Sequence, residues 1–448
     1  MSDANNLPGH DPEADGAPHQ PAPTQSVPGG AAAGNTPAQL AESSHHPGAG
    51  AGVLKQIVTG NGLVSILAIV LSLIVGAILI AFTNDRVNET AGYFFARPGD
   101  MAIAVWDAVS EAYGALFRSA IFNTQAEGFA NAIYPLTETL TVATPLILAG
   151  LGVALAFRVG LFNIGAQGQI ILGATLAGWI GFTLELPLGI HLLAAIVAGF
   201  VGGALWGGIA GILKAKRGAH EVIVTIMLNY IGLYLLLYLL STPAFQRPGS
   251  NNPVSPQIAE SAAYPLIFGT GFRLHYGFVL ALAAVAFVWW LLNRSTTGFE
   301  LRAVGANPVA AKTAGINVSR AYLTAMLVAG GLAGLAGTAQ ISGTERSLSG
   351  DIAASFGFDA ITVALLGRSS PIGTLFAGIL FGALRAGGVG MQSETGIPID
   401  IVLVVQSFIV LFIAAPPLVR SIFRIGVKKS PKKSNKPAAK AAQAGGAS

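Results

Sequence analysis

The residues best suited to chemistry in this chain are carboxamides at the start of an apolar stretch, GLFNIGAQGQIILGATLAG. Asn163, Gln167 and Gln169 lie there beside Gly165 and Gly168, and glycines allow neighbouring helices to approach closely. Polar groups without hydrogen-bond partners are costly in hydrocarbon, so these amides need partners. They either join and cap broken helices or line an aqueous path and hydrogen-bond a polar, uncharged solute. The residue types alone favour the structural role.

Motifs for catalysis and nucleotide binding are missing from the sequence. It contains no G-x-x-x-x-G-K-[ST] phosphate loop, no H-E-x-x-H zinc motif and no G-x-S-x-G nucleophile elbow. It also contains no cysteine, which excludes disulfides, cysteine-ligated zinc and iron–sulfur clusters. We therefore expect no catalytic residues, no metal site and no cofactor.

The elements that position these amides are predicted to be membrane helices. Hydrophobic residues make up 52% of the 448-residue chain and charged residues only 10%, and several windows exceed the ~18 apolar residues that cross a bilayer. Long apolar runs disfavour a membrane β-barrel. The predicted fold class is an all-α polytopic membrane protein with about ten transmembrane or partial spans, and with an internal repeat as a hypothesis. The spans are residues 61–83, 136–157, 161–184, 188–213, 221–242, 277–293, 321–342, 356–367, 371–388 and 399–418.

Basic residues predict the orientation of these spans. With about ten spans, Lys55, Arg158, the KAKR run at 214–217, the loop 294–320 and the lysine-rich C-terminal tail fall on one side. Positive charge beside membrane spans marks the cytoplasmic side. We therefore expect a multi-pass protein of the plasma membrane with both termini in the cytoplasm. The small net charge of +4 does not indicate nucleic-acid binding.

The chain divides by composition into a membrane domain and two polar tails. Residues 1–55 predict a disordered cytoplasmic tail, because they bury too little apolar surface to offset the entropy of ordering. Residues 56–425 form the predicted transmembrane domain, and residues 426–448 form a basic, disordered tail.

The outer loop, residues 84–135, is long enough to contain structure of its own. Its apolar positions recur at helical spacing, and Asp100 is the expected N-cap. We expect an amphipathic helix along the outer face, which either covers the bundle or contacts a partner. The apolar positions are Trp106, Val109, Tyr113, Leu116 and Phe117.

The loop at residues 294–320 mixes small, apolar and basic residues. Ala303–Ala314 is predicted to form a short helix. The part that starts at Asn307-Pro308 has the stronger helix signal, because proline is favoured in the first helical turn. Gly315 is expected to end this helix. Such a helix is suited to dock into a groove on a soluble partner; the alternative is a solvated loop that carries orienting charges.

Four stretches together resemble the permease subunits of ATP-binding-cassette (ABC) importers: GLFNIGAQGQIILGA, VIVTIMLNYIGLYLL, TTGFELRAVGANPVAAKTAGINV and GFDAITVALLG. The resemblance is to the nucleoside and simple-sugar branch, which is related to the branched-chain amino acid permeases. It covers roughly residues 60–420 and implies a location in the bacterial cytoplasmic membrane.

The resemblance also implies partners. An extracytoplasmic solute-binding protein would deliver solute, a second homologous permease subunit would help to enclose the path, and two cytoplasmic ABC ATPase subunits would hydrolyse ATP. The chain itself would be a transport subunit in contact with membrane lipid, not an enzyme. The residues that match the family's ATPase-coupling segment are Gly298, Arg302, Gly305, Asn307, Ala311 and Gly315.

A nucleoside is the solute that we expect from this resemblance. Amides and aromatic faces would suit a neutral solute that carries a base and a ribose. Asp359 is an acid within an apolar run, and its alternative role is that of a helix N-cap. The candidate path residues are Asn163, Gln167, Gln169, Asn229, Tyr230, Phe356, Phe358, Asp359 and Thr362.

Alternative functions remain at this point. A permease for ribose-type sugars is the nearest competitor. A free-standing secondary transporter would need coupling acids or ion sites, for which Glu138, Asp359 and Arg385 are the few charged candidates. A membrane-embedded enzyme lacks a convergent nucleophile, base or metal cluster.

Overall fold

The computed structural model describes residues 61–423, and the regular structure of this part of the chain is helical. The predicted tails at 1–55 and 426–448 lie outside the described residues. The helices are α1 (Asn61–Thr83), α2 (Asp85–Ala91), α3 (Pro98–Ala120), α4 (Phe129–Arg158), α5 (Ala166–Thr183), α6 (Ile190–Arg217), α7 (Glu221–Leu240), α8 (Gly277–Arg294), α9 (Thr296–Ala306), α10 (Pro308–Thr313), α11 (Val318–Ala339), α12 (Phe356–Leu366), α13 (Pro371–Thr395), α14 (Asp400–Ala414) and α15 (Pro416–Ile422).

The predicted membrane spans coincide with helices. Within residues 61–423, seven helices are long and apolar enough to cross a membrane, namely α1, α4, α6, α7, α8, α11 and α13. The pair α14 and α15 is also long and apolar enough when taken together, but it is bent by 95°, as in a broken span or a re-entrant loop. The helix α5, which starts with glutamines, and the short helix α12 account for the remaining predicted spans. The all-helical membrane fold is confirmed.

The centre of the bundle is packed through glycines. Helices α4 and α11 are the most buried spans, and α11 packs against α6 with very little space between their backbones. A Cβ atom on Gly203 of α6 would lie 2.2 Å from the carbonyl oxygen of Gly330, and one on Gly334 would lie 2.1 Å from that of Gly199. Only glycine allows this approach, which gives dispersion contacts in an environment where the hydrophobic effect does not drive helix association.

The outer loop contains the predicted helix, α3, but two details of the prediction are wrong. Asp100 is not the N-cap, because α3 begins at Pro98 and Asp100 lies within its first turn. Trp106 and Phe117 also do not lie on the buried face, since they are 73% and 52% exposed, whereas Val109, Tyr113 and Leu116 pack against the core as predicted. Small side chains form the most deeply buried positions, because they allow α3 to pack closely on α13. The buried positions are Ala104, Ala108, Ala112, Ala115 and Ala120.

The segment between α7 and α8 covers one end of the bundle. Its residue Ser255 donates its backbone N–H to the carbonyl oxygen of Leu348 over 3.0 Å and accepts the N–H of Leu348 with its hydroxyl over 2.8 Å.

His275 lies at the end of this segment, two residues before α8 begins. Burial, together with the charges of Arg346 and Arg273, lowers the pKa of His275 to about 4. The imidazole is therefore neutral near pH 7 and accepts the N–H of Gly277 over 3.1 Å.

Candidate functional site

Two of the predicted carboxamides bind each other beside the unwound segment that precedes α5. Asn163 donates from Nδ2 to Oε1 of Gln169 over 3.1 Å, and Gln169 donates from Nε2 to Oδ1 of Asn163 over 3.3 Å. The same oxygen of Asn163 accepts the backbone N–H of Gly165 over 3.0 Å. Both residues are only 1% exposed. The pair thus supplies partners at a helix start, where backbone N–H groups have none within the helix.

Asn229 reaches the same unwound segment from α7. Its Oδ1 accepts the backbone N–H of Gly168 over 2.8 Å, and its Nδ2 donates to the carbonyl oxygen of Ile164 over 2.9 Å. A Cβ atom on Gly168 would lie 3.1 Å from Cα of Asn229 and 3.0 Å from the carbonyl oxygen of Leu228. The absence of a side chain at Gly168 therefore allows α7 to come close enough for these bonds.

Gln167 connects this helix break to a second one. Its Nε2 donates to the carbonyl oxygen of Ala354 over 2.7 Å, and its Oε1 accepts the backbone N–H of Gly357 over 2.9 Å. Ala354 has a φ of 40°, a left-handed value that is unusual for a residue with a side chain. The Gln167 amide therefore satisfies irregular backbone at the start of α12.

The four carboxamides thus bond to the protein's own backbone or to one another. This arrangement corresponds to the structural alternative, in which amides cap broken helices inside a bundle. Their assignment to a solute path stays a prediction. The four residues are Asn163, Gln167, Gln169 and Asn229.

A polar cavity of about 290 Å³ lies between α12, α13 and α14. Two of the predicted path residues, Asp359 and Thr362, line it. Arg385 of α13 lies 3.0 Å from Asp359, measured from Nη1 to Oδ2, and Ser355 donates its hydroxyl to the same oxygen over 3.0 Å. Phe356 packs against this pair, because its ring centroid is 4.4 Å from Cζ of Arg385.

The alternative role of Asp359 as an N-cap is wrong. Ser355 occupies the N-cap position of α12, and Asp359 lies in the first turn, where its carboxylate accepts bonds from Arg385 and Ser355. Its negative charge still lies in the first turn of α12, where the positive end of the helix dipole stabilises it.

The sequence analysis missed two polar residues of this cavity, Gln406 and Ser407 of α14. They interrupt the apolar run DIVLVVQSFIVLFIA, and that interruption was the available signal. The structure places two other candidates elsewhere, since Tyr230 is 58% exposed and Phe358 is 49% exposed. Neither of them lines the cavity.

The segment that resembles a coupling loop contains two short helices, α9 and α10, and not the single helix predicted for Ala303–Ala314. Asn307 separates them with an extended backbone, and its Oδ1 accepts the N–H groups of Val309 and Ala310 over 3.0 Å each. Gly315 follows α10 with a φ of 85°, so the predicted helix end is confirmed.

Glycines hold α9 against the bundle. A Cβ atom on Gly298 would lie 1.8 Å from the carbonyl oxygen of Leu291, and one on Gly305 would lie 2.0 Å from that of Arg158. Helix α10 turns a small residue inward and a larger one outward, because Ala311 is 4% exposed and Val309 is 73% exposed. A groove of about 740 Å³ runs beside α10. The arrangement leaves an apolar side chain exposed beside this groove.

The structure predicts that Asn163→Ala destabilises the protein. The change leaves the N–H of Gly165 and the amide of Gln169 without their partner, at a cost of about 1–3 kcal/mol for each buried group. Thermal unfolding of the purified protein in detergent should show a lower midpoint. Asn131→Ala, which removes an exposed amide, is the control and should change the midpoint very little. An unchanged midpoint for Asn163→Ala with lost transport would instead favour a path residue.

The comparisons with known proteins agree with this architecture. The family described as the permease component of the branched-chain amino acid transport system matches residues 136–414. The guanosine ABC transporter permease protein of Bacillus subtilis is 40% identical over 305 residues, which cover 68% of this chain and 86% of that protein. No solved structure matches the chain.

Two further relatives are named for different solutes, a nucleoside and glucose. The nucleoside ABC transporter permease protein NupB of Lactococcus lactis is 37% identical over 67% of this chain and 82% of that protein. The glucose ABC transporter permease protein TsgB13 of Haloferax volcanii is 34% identical over 71% of this chain and 83% of that protein. The family profile spans more than half of the chain, so the chain belongs to the family of permease components typified by the branched-chain amino acid transport system.

Proposed function

We propose that this chain is the membrane-spanning permease subunit of an ATP-driven ABC importer for nucleosides. The observation that carries the proposal is the 40% identity to the guanosine permease of Bacillus subtilis over 86% of that protein. The nucleoside permease of Lactococcus lactis supports the same class of solute. A permease is a transport component, so ATP hydrolysis belongs to a separate chain, and the sequence indeed contains no phosphate loop.

The partners and the orientation belong to the same proposal. A solute-binding protein delivers the nucleoside from outside, a second permease subunit completes the path, and ATPase subunits bind on the cytoplasmic side. The chain lies in the bacterial cytoplasmic membrane, with both termini in the cytoplasm. The clustering of basic residues supports this orientation, because Arg158, Lys216 and Lys312 lie in segments that meet at one end of the bundle.

The polar cavity beside α12 is the part of the path that the geometry supports best. Both bonds that Asp359 accepts end on Oδ2, which leaves Oδ1 to accept a hydrogen bond from a solute. Thr362 and Gln406 add a hydroxyl and an amide to the same cavity. Such a set suits a neutral solute that carries hydroxyl groups, such as the ribose of a nucleoside.

The segment formed by α9 and α10 is the proposed contact with the ATPase. Val309 is exposed beside the groove. Gly298 and Gly305 allow the backbone of α9 to pack directly on the ends of α8 and α4. A push on α10 would therefore reach two spans through backbone contacts, with no flexible side chain between them.

Uptake of labelled guanosine by cells with and without this gene tests the proposed function. We expect uptake to be lost with the gene, and to be competed by other nucleosides but not by glucose. The second candidate is a sugar importer, which the similarity to the glucose permease of Haloferax volcanii favours. Unchanged guanosine uptake together with lost glucose or ribose uptake would establish that candidate instead.

Thr362→Val tests the proposed path. The change removes a hydroxyl but keeps the shape, so maximal uptake should fall about fivefold if one solute hydrogen bond of about 1 kcal/mol is lost. The half-saturating concentration should not change, because a separate binding protein sets it. Thr183→Val, which removes an exposed hydroxyl at the end of α5, is the matched control. Normal uptake by the Thr362 variant would remove this cavity from the path.

Val309→Glu tests the proposed coupling contact. A carboxylate on this surface would lose its hydration on docking without an assured partner, so uptake should fall at least tenfold. Immunoblots should show a normal amount of protein in the membrane. Phe95→Glu makes the same kind of change, from an apolar side chain to a carboxylate, at a 99% exposed position of the predicted outer loop, and it should leave uptake nearly normal. Full uptake by the Val309 variant would show that α10 does not transmit the ATPase movement.

A further inference from the structure

We propose that a basic cavity at the junction of α4, α8, α9 and α13 binds the phosphate headgroup of an anionic membrane phospholipid. The cavity has a volume of about 240 Å³ and lies apart from the polar cavity beside α12. Its walls combine two arginines, an aromatic side chain and a helix start: Arg158, Arg302, Trp289, Pro371 and Ile372. The proposal does not depend on which solute is transported.

The two arginines of this cavity, of which Arg158 is exposed and Arg302 is partly buried, have no carboxylate partner among the described residues. Nη1 of Arg302 is buried and has no hydrogen-bond partner. Arg158 uses its Nε to donate to the carbonyl oxygen of Ser369 over 2.8 Å. Within residues 61–423, neither arginine forms an ion pair, and no acidic side chain lines the cavity. Two guanidinium groups without a counter-charge favour an anion, and guanidinium matches phosphate geometry well.

The start of α13 adds a second electrostatic contribution. Helix α13 begins at Pro371 in the wall of the cavity, and its N-cap Ser370 accepts the N–H of Gly373 over 3.1 Å, so the helix contributes the positive end of its dipole and not a set of free N–H donors. The N-terminus of a helix carries partial positive charge and commonly binds phosphate groups. The cavity therefore combines two full positive charges with a helix N-terminus.

The rim of the cavity indicates that the anion belongs to a lipid. Trp289 is 41% exposed, its neighbour Trp290 is 52% exposed, and Ile372 is 53% exposed. Tryptophans concentrate at the boundary between hydrocarbon and headgroups, and basic pockets between membrane helices bind anionic headgroups. Arg294 lies 6.0 Å from the Trp289 ring and adds positive charge beside this boundary. Apolar side chains at the rim would contact the acyl chains while the arginines hold the phosphate.

Native mass spectrometry of the full-length protein, purified with any subunits that remain attached, tests the proposal. The protein is titrated with phosphatidylglycerol and phosphatidylcholine, and the bound lipids are counted. We expect one site that prefers phosphatidylglycerol. The preference should fall about fivefold for each arginine replaced in Arg158→Gln and Arg302→Gln, since a basic side chain at an anionic membrane surface contributes about 1 kcal/mol.

Two controls separate charge from packing. Arg320→Gln removes an exposed charge that does not line the cavity, so the lipid preference should be unchanged. The variant with both Arg158→Lys and Arg302→Lys retains the charges and should retain most of the preference. The unmodified protein provides a test without substitutions, because its preference for phosphatidylglycerol should weaken as salt increases.

Three results would overturn the proposal. The first is equal retention of phosphatidylglycerol and phosphatidylcholine by the unmodified protein. The second is a preference that survives both glutamine substitutions, and loss of ATPase subunits in that variant would assign the arginines to the ATPase contact. The third is displacement of phosphatidylglycerol by inorganic phosphate at a similar concentration, which would make the cavity a site for free anions.

Discussion

Backbone groups at helix breaks inside an apolar bundle must find hydrogen-bond partners within the protein, and much of this structure depends on that constraint. Hydrocarbon offers no partners, so each exposed N–H or carbonyl would cost several kcal/mol. Asn163 and Asn229 bond to backbone groups at the unwound segment before α5, and the side chain of Gln169 holds that of Asn163. Gln167 bonds to the irregular backbone before α12. Carboxamides suit this task because one side chain both donates and accepts without carrying a charge.

Close packing through glycine is what brings those amides within reach. Gly168 allows the backbone of α7 to approach, and the amide of Asn229 then bonds to the N–H of Gly168 itself. Glycines also tie the proposed coupling segment to this region. Gly305 of α9 packs on the carbonyl oxygen of Arg158, the last residue of α4, and the turn at Val159 and Gly160 then leads into the unwound segment. One backbone contact and a short stretch of chain therefore connect the proposed ATPase contact to the carboxamides.

Charge is concentrated in a few places because each charge within an apolar bundle needs a compensating partner. Asp359 and Arg385 compensate each other beside the polar cavity, with Ser355 bonded to both. Within residues 61–423 the arginines of the basic cavity form no ion pair, and the proposed lipid headgroup would supply the missing negative charge.

Sequence by itself determined the helical membrane class, the positions of the spans and the end of the short helix α10 before Gly315, because apolar run length and glycine conformation are local properties. It also singled out the carboxamides as polar groups that need partners. Only the tertiary structure decided which partners they have, since Gln167 and Ala354 are distant in sequence. The buried alanines of α3 have the same origin, because close packing against α13 selects small side chains and periodicity alone does not identify that neighbour.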